Sequence, residues 1–210
     1  MNGAGHIYIV DDDPSVTEAL GLFLTTEGYS VHRHSSARSL LDSLKEDGTG
    51  CVVTDMRMPE MTGLELIQAM KARGISMPII LVTAYADVPL AVQAMKMGAV
   101  ELLEKPFNYE TLLVTIREAL RRTHADEERK AKTRAILNRF STLTKREKEV
   151  LAGLLKGRSN KVIAHDLGIS MRTVEVHRGT LMMKMQAKSL PELVQLALVV
   201  PSEELPIVPG

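Results

Sequence analysis

Residues 6–28 read HIYIVDDDPSVTEALGLFLTTEG and contain one complete strand-to-helix unit. HIYIV is a short apolar run rich in β-branched side chains and halted by three aspartates, which predicts a buried strand. Asp13 is placed to cap the helix that follows, and Pro14 fits its first turn, where a missing N–H leaves nothing unsatisfied. Val16, Ala19, Leu20, Phe23 and Leu24 then repeat at helical spacing up to Gly28.

Outward from this unit the alternation recurs. A strand is expected at 30–34, a helix at 37–46, the strand CVVTD at 51–55, and a helix opened by Thr62 with Glu65 as a capping box. The strand PIILVT at 78–83 follows, then a helix at 88–97 stopped by Gly98, a strand at 99–103 and a helix at 109–122. Five strands alternating with helices imply a parallel sheet covered on both faces, and right-handed crossovers leave a doubly wound α/β sandwich as the leading topology.

From Ser141 onward the strand signal disappears. Helices are expected at 145–156, 160–167, 171–185 and 189–199, separated by Gly157, Gly168 and Ala187. Between the two regions, HADEERKAKTRAILNRF at 124–140 is charge-rich with a thin apolar stripe, and is expected to extend the last helix as a linker. The tail PSEELPIVPG is proline-rich and expected to fray.

The net charge of zero hides an asymmetry. Residues 1–123 carry 11 Lys+Arg against 16 Asp+Glu, whereas 141–200 carry 10 against 5, so one half is suited to cations and the other to a polyanion. Cys51 is the only cysteine, which excludes an internal disulfide framework and a cysteine-rich zinc site. It reads as a small buried hydrophobe of a strand. No apolar run approaches a membrane span of about 20 residues and no secretory signal is evident, so a soluble, cytoplasmic protein is expected.

In an open parallel sheet, ligands bind beyond the carboxyl ends of the strands. Asp11 and Asp12 end the first strand, Asp55 the third and Thr83 the fourth, while Lys105 follows the fifth. Singly, each has an ordinary role as a cap, turn or solvated charge. Together, three carboxylates crowded at one edge would repel unless a cation shared them. A hard ion such as Mg²⁺ (or Mn²⁺) suits oxygen donors: Asp12 and Asp55 supply carboxylates, Asp11 acts through water, and the carbonyl of Arg57 lies nearby. Asp55 is then a nucleophile toward phosphorus, with Thr83 and Lys105 meeting the phosphoryl oxygens.

VDDD, TDMRMP, VTA and EKPF, in this order at these strand ends, resemble the response-regulator receiver family over residues 4–123. The resemblance implies a flavodoxin-like sheet, an acid pair at Asp11 and Asp12, a phosphoacceptor at Asp55, and a cis peptide before Pro106. It also implies a partner sensor histidine kinase. Receivers often carry an aromatic switch residue three positions before the lysine. Here Leu102 stands there, so any signal must pass through Thr83, Tyr85 and the helix at 88–97.

In the basic half, Thr144 and Glu147 form a second capping box, and Val150, Leu151, Leu154 and Leu155 make an apolar face. A short helix, a turn at Gly168, and a longer helix capped by Ser170 give helix-turn-helix geometry. Val174, Leu181 and Met185 are expected in the core. Arg172, Thr173, Glu175, Val176 and Gly179 are expected toward DNA bases, and Lys161, Arg178 and Lys184 toward phosphates. Gly179 sits mid-helix at a cost of about 1 kcal/mol relative to alanine, explained by groove approach or by tight packing. His177 has no second ligand at metal-site spacing.

LTKREKEVLAGLLKGRSNKVIAHDLGISMRTVEVHRGTLMMKM resembles the LuxR-type DNA-binding domain, with 141–205 as its extent. With the receiver in front, the chain resembles the FixJ and NarL class of response regulators, and SLPELVQLAL places it nearest the FixJ branch. The resemblance implies a transcription regulator that is not an enzyme, that dimerises on phosphorylation, and that binds double-stranded DNA, with RNA polymerase as a further partner. Two other classes stay open at this point. One is a phosphatase or phosphotransferase using an aspartyl-phosphate, against which the lone Asp55 after the third strand argues. The other is an adaptor whose basic helices bind RNA or protein.

Overall fold

The structure is a computed structural model and describes residues 5–44 and 48–204. Ala4 at the expected receiver start, residues 45–46 at the expected end of the second helix, and residue 205 with the rest of the tail lie outside the described residues. The chain divides into two units, Met1–Asp126 and Glu127–Gly210.

The first unit alternates as expected: β1 (His6–Val10), α1 (Pro14–Thr26), β2 (Ser30–His34), α2 (Ala37–Ser43), β3 (Cys51–Asp55), α3 (Gly63–Ala72), β4 (Ile79–Thr83), α4 (Val88–Met97) and β5 (Glu101–Glu104). The helix α5 (Tyr109–Ser141) begins in it. All strand pairs are parallel, in the order β2-β1-β3-β4-β5. Period-2 alternation divides the core. Ile7, Ile9, Val53 and Ile80 pack with Leu20, Leu24, Leu112 and Ile116 on the α1/α5 face. Val10, Val52 and Leu81 pack with Leu40, Leu66, Met70 and Ala94 on the other. Cys51 is fully buried on the α1/α5 face, and burial pushes its thiol up to about 12, so it acts there as an inert hydrophobe.

Local chemistry fixes the helix ends. Asp13 accepts from the Ser15 amide at 2.8 Å to open α1. Both halves of the capping box at α3 form, Thr62 N–H to Glu65 at 2.8 Å and Glu65 N–H to Thr62 at 3.3 Å. Two strand starts differ from the expectation. β4 opens at Ile79 because Pro78 has no N–H to give the ladder. β5 opens at Glu101 because the Ala99 amide turns back to Ala94 O at 3.0 Å, closing the cap around left-handed Gly98 (φ 102°).

The second unit is helical: the end of α5, then α6 (Lys145–Leu155), α7 (Asn160–Leu167), α8 (Met171–Met185), α9 (Leu190–Ala197) and a 3₁₀ turn (Ser202–Glu204). The expected linker is thus part of α5, whose residues Ile136, Leu137 and Phe140 pack with this unit's core. Val174, Leu181 and Met185 are fully buried there, as expected, beside Val150, Leu151 and Leu193. α8 ends on Gln186 (φ 56°), not Ala187. Ala187 is itself buried and gives its amide to Met182 O at 3.0 Å, so the left-handed position falls one residue earlier. α9 starts after Ser189, which caps it by accepting from Glu192 N–H at 3.3 Å.

Candidate functional site

The switch in strand order puts a crevice at the carboxyl ends of β1 and β3. There the Lys105 ammonium donates to Asp11 Oδ2 at 2.8 Å and to Asp55 Oδ1 at 2.7 Å, joining residues 94 and 50 positions apart. The other oxygens are also held: Asp11 Oδ1 accepts from Asp13 N–H at 2.9 Å and Asp55 Oδ2 from Arg57 N–H at 2.6 Å. Burial of the Lys105 amine pulls its pKa down, but the hydrogen bonds and charges of Asp11 and Asp55 outweigh this and raise it above the ordinary lysine value. The ammonium form is therefore secured at any physiological pH.

Backbone geometry aims these groups. Lys105 N–H donates to Thr83 O at 2.7 Å and Met56 N–H to Val82 O at 2.7 Å, pinning the loops after β5 and β3 to β4. The Lys105–Pro106 peptide is cis, as the family resemblance implied. Gly63, unremarked in the sequence reading, lets α3 start against the end of β3: a Cβ there would lie 2.8 Å from Asp55 O and 2.7 Å from Leu81 Cδ2. Only the closeness of two segments in space explains it, and no local motif announces that.

Of the three carboxylates expected at this edge, the structure brings two together. Asp11 is buried and joined with Asp55 through Lys105, while Asp12 is exposed and makes no hydrogen bond among the described residues. Among the described residues no three His, Cys, Asp or Glu side chains gather closely enough to hold an ion. The shared cation of the inner pair is the lysine itself. The donor set still fits a hard divalent ion, which takes one or two carboxylates and keeps its waters. Asp12 has an exposed carboxylate, and the acceptors around Lys105 are carboxylate oxygens.

Thr83 is buried, but its hydroxyl faces its own turn. It donates to Tyr85 O at 3.0 Å and accepts from Tyr85 N–H at 3.3 Å. Glu104 extends the clamp by accepting from Ala86 N–H at 3.0 Å, so two groups hold the loop between β4 and α4. Leu102 is half-buried against the α3/α4 side of the core. In this loop Tyr85, and along α4 Val88, Val92 and Met95, are exposed apolar side chains.

In the helical unit, Arg172, Glu175, Val176 and Gly179 share one exposed stripe of α8, and Lys161 is exposed on α7. Thr173 is half-buried, its hydroxyl 2.8 Å from the Ser170 hydroxyl at the cap. Arg178 donates to Asn160 Oδ1 at 3.3 Å, which ties α8 to the start of α7. A Cβ on Gly179 would meet nothing within 4 Å, so helix packing does not account for this glycine. Met171 and Met183 are also exposed.

Lys184 is a second correction. Expected to contact phosphate, it instead donates to Glu147 Oε2 at 2.7 Å and to Thr142 O at 3.2 Å. Glu147 is 4% exposed. A charge that deeply placed requires a partner inside the fold, and Lys184 is that partner. Burial pushes the Glu147 carboxyl up, but the hydrogen bonds from Lys184 and the Thr144 backbone prevail and hold it below the ordinary glutamate value. A carboxylate so depressed contributes stability above its unfolded pKa and loses it as pH falls through the folded one. Acid should therefore open this unit below the ordinary glutamate range, and Glu147→Gln should flatten that part of the curve. Amide exchange at Val150 and Leu181 across an acid titration is the check, and identical curves would reject it.

A phosphoacceptor-like acidic crevice on a 2-1-3-4-5 sheet, followed by a basic helix-turn-helix unit, defines a class of signal-controlled DNA-binding regulators. Residues 7–117 match the family model of the response regulator receiver domain, and residues 141–197 match that of bacterial regulatory proteins, luxR family. The chain belongs to the response regulators that join a receiver to a LuxR-type DNA-binding domain, a family of transcription regulators and not of enzymes.

It is 44% identical over 198 residues to the transcriptional regulatory protein FixJ of Bradyrhizobium diazoefficiens, covering 94% of this chain and 97% of that one. To FixJ of Azorhizobium caulinodans it is 46% identical, covering 91% of each. Among solved structures, the response regulator StyR aligns with a TM-score of 0.86 at 38% identity, over 94% of this chain and all of that one. Receivers as a family bind Mg²⁺ at the phosphorylation site. No helix among the described residues is long and apolar enough to cross a membrane.

Proposed function

We propose that this chain accepts a phosphoryl group on Asp55 from a partner sensor histidine kinase in the cytoplasm, then dimerises and binds a two-fold duplex DNA site to regulate transcription. The observation that carries this is the Lys105 ammonium held between Asp11 and Asp55 at the carboxyl edge of the sheet. The working division is a receiver at 4–123, a helical linker at 124–140 and a DNA-binding domain at 141–205. Contact with RNA polymerase follows from the regulator reading.

Mg²⁺ (or Mn²⁺), held by Asp12 and Asp55 with Asp11 through water and the Arg57 carbonyl, would neutralise charge on the transferring phosphoryl oxygens. The residues do the rest. An Asp55 carboxylate oxygen attacks phosphorus of the kinase phosphohistidine. The O–P bond forms as the N–P bond breaks, and the imidazole leaves with the electron pair. Lys105, already charged, turns from the bare carboxylate to a phosphoryl oxygen. The Thr83 hydroxyl leaves the Tyr85 carbonyl to donate to another, which releases the loop before α4. The exposed apolar side chains of α4 then offer a dimer surface, and the change is a population shift between two receiver states.

On the output side, Arg172, Thr173, Glu175, Val176 and Gly179 meet base edges, and Lys161 and Arg178 meet phosphates. The open face at Gly179 supports close approach of a groove. Gly179→Ala is expected to stabilise α8 by about 1 kcal/mol while weakening duplex binding. Thermal melts and gel-shift titrations of the same protein test both halves, and unchanged binding would remove Gly179 from the interface.

The reading as a whole is tested by operator selection from random duplexes, with and without Mg²⁺ and a small phosphodonor. Recovery of one palindromic site, bound more tightly with the donor and weakening steeply with salt, is the expected result. Equal affinity in both conditions, or preference for RNA, would overturn it.

A further inference from the structure

We propose that His6 and His32 form a chelating site for a divalent ion of the copper(II) or nickel(II) class at the β1–β2 edge of the sheet. β2 is an edge strand, and in its register with β1 Tyr8 lies opposite His32 while His6 lies opposite Ser30. Side chains alternate along each strand, so His6, Tyr8, His32 and His34 belong to one face. His6 Nδ1 and His32 Nε2 consequently meet at 3.0 Å, with both side chains exposed. The His32 ring stacks on Tyr8 with centroids 4.8 Å apart and planes 18° from parallel, so one ligand is oriented before an ion arrives.

The spacing is compatible with a cis pair of nitrogen ligands. With metal–nitrogen bonds of about 2.0–2.1 Å, nitrogens 3.0 Å apart subtend roughly 91–97° at the metal. That is the cis angle of a square-planar or tetragonal centre, and it is narrower than the tetrahedral angle zinc prefers. Imidazole nitrogen is a good donor for copper(II) and nickel(II). Among the described residues no third His, Cys, Asp or Glu joins the pair.

In the ion-free protein one ring donates its N–H to the other. Binding needs both lone pairs, which a tautomer change supplies by moving that proton to the ring's outer nitrogen. Rotation of the exposed rings about Cβ–Cγ then aims both lone pairs to one side. His34 is not part of the chelate, since its Nδ1 is engaged by the Ser39 hydroxyl at 2.9 Å. The site is also separate from the acidic crevice: His6 begins β1, whereas Asp11 follows its other end. A bound ion would fasten the edge strand to the strand that carries the acid pair.

The test is a calorimetric titration of the untagged full-length chain with Cu²⁺ alone and with Ni²⁺ alone, and paramagnetic resonance of the Cu²⁺ form. Wild type should bind one equivalent with hyperfine coupling to two ring nitrogens. His6→Ala and His32→Ala should each weaken binding by about a hundredfold, because the second donor no longer acts intramolecularly. His34→Ala should bind as wild type does. Circular dichroism confirms that the exposed substitutions leave the fold intact. Two-nitrogen hyperfine coupling that survives loss of both His6 and His32 would overturn the assignment.

Discussion

Lys184→Met is expected to destabilise the helical unit by about 3 kcal/mol, the low end of the range for removing one member of a buried pair. Glu147 keeps only 5% side-chain exposure, so without Lys184 its charge stays in the fold with no counter-charge. The low end applies because Lys184 itself is 27% exposed and water can reach toward the vacated place. Glu147 also accepts from Thr144 N–H at 2.8 Å, which opens α6, so the loss spreads to the helix start. The double substitution Lys184→Met with Glu147→Leu should recover most of the stability, because no unpaired charge is then buried. Amide exchange of α6 and α8 in the full chain reads the effect without interference from the other unit. Wild-type protection in Lys184→Met would show that the pair is dispensable, and would return Lys184 to the phosphate contacts.

That pair also marks where sequence reading stops. The capping box at Thr144 and Glu147 was legible because both partners lie within one turn, and the box at Thr62 and Glu65 was legible for the same reason. Glu147 as partner of Lys184 was not, since 37 residues separate them and only the crossing of α6 and α8 brings them together. The sheet was readable because β-branched runs and helical stripes alternate five times, and each period is a local property. The acidic site was half readable. Strand ends placed Asp11, Asp55, Thr83 and Lys105 at one edge, but which of Asp11 and Asp12 is buried and which exposed has no local signal. The inward turn of the Thr83 hydroxyl depends on the Tyr85 backbone. Gly63, whose missing side chain makes room for the Asp55 carbonyl, carries no local signal at all.

Asp55→Asn and Thr83→Ala should separate phosphoryl uptake from its consequence. The first substitution leaves no carboxylate nucleophile at the end of β3, so uptake from a phosphodonor is expected to fall to background, and DNA affinity should no longer respond to the donor. In Thr83→Ala the groups that perform the transfer remain, since Asp11, Asp55 and Lys105 contact one another and none of them hydrogen-bonds the Thr83 hydroxyl. Uptake should continue. What is lost is the hydroxyl that must exchange the Tyr85 carbonyl for a phosphoryl oxygen, and with it the coupling to the loop before α4. Leu102 leaves no aromatic ring at that position to take over the task. The donor-dependent gain in affinity, of the order of 5–150-fold for a coupling of this kind, should shrink toward unity. Phosphate incorporation and operator titration on the same samples measure both quantities. A Thr83→Ala protein that is phosphorylated and still gains full affinity would place the relay elsewhere, and one that fails to be phosphorylated would show that the hydroxyl serves the transfer itself.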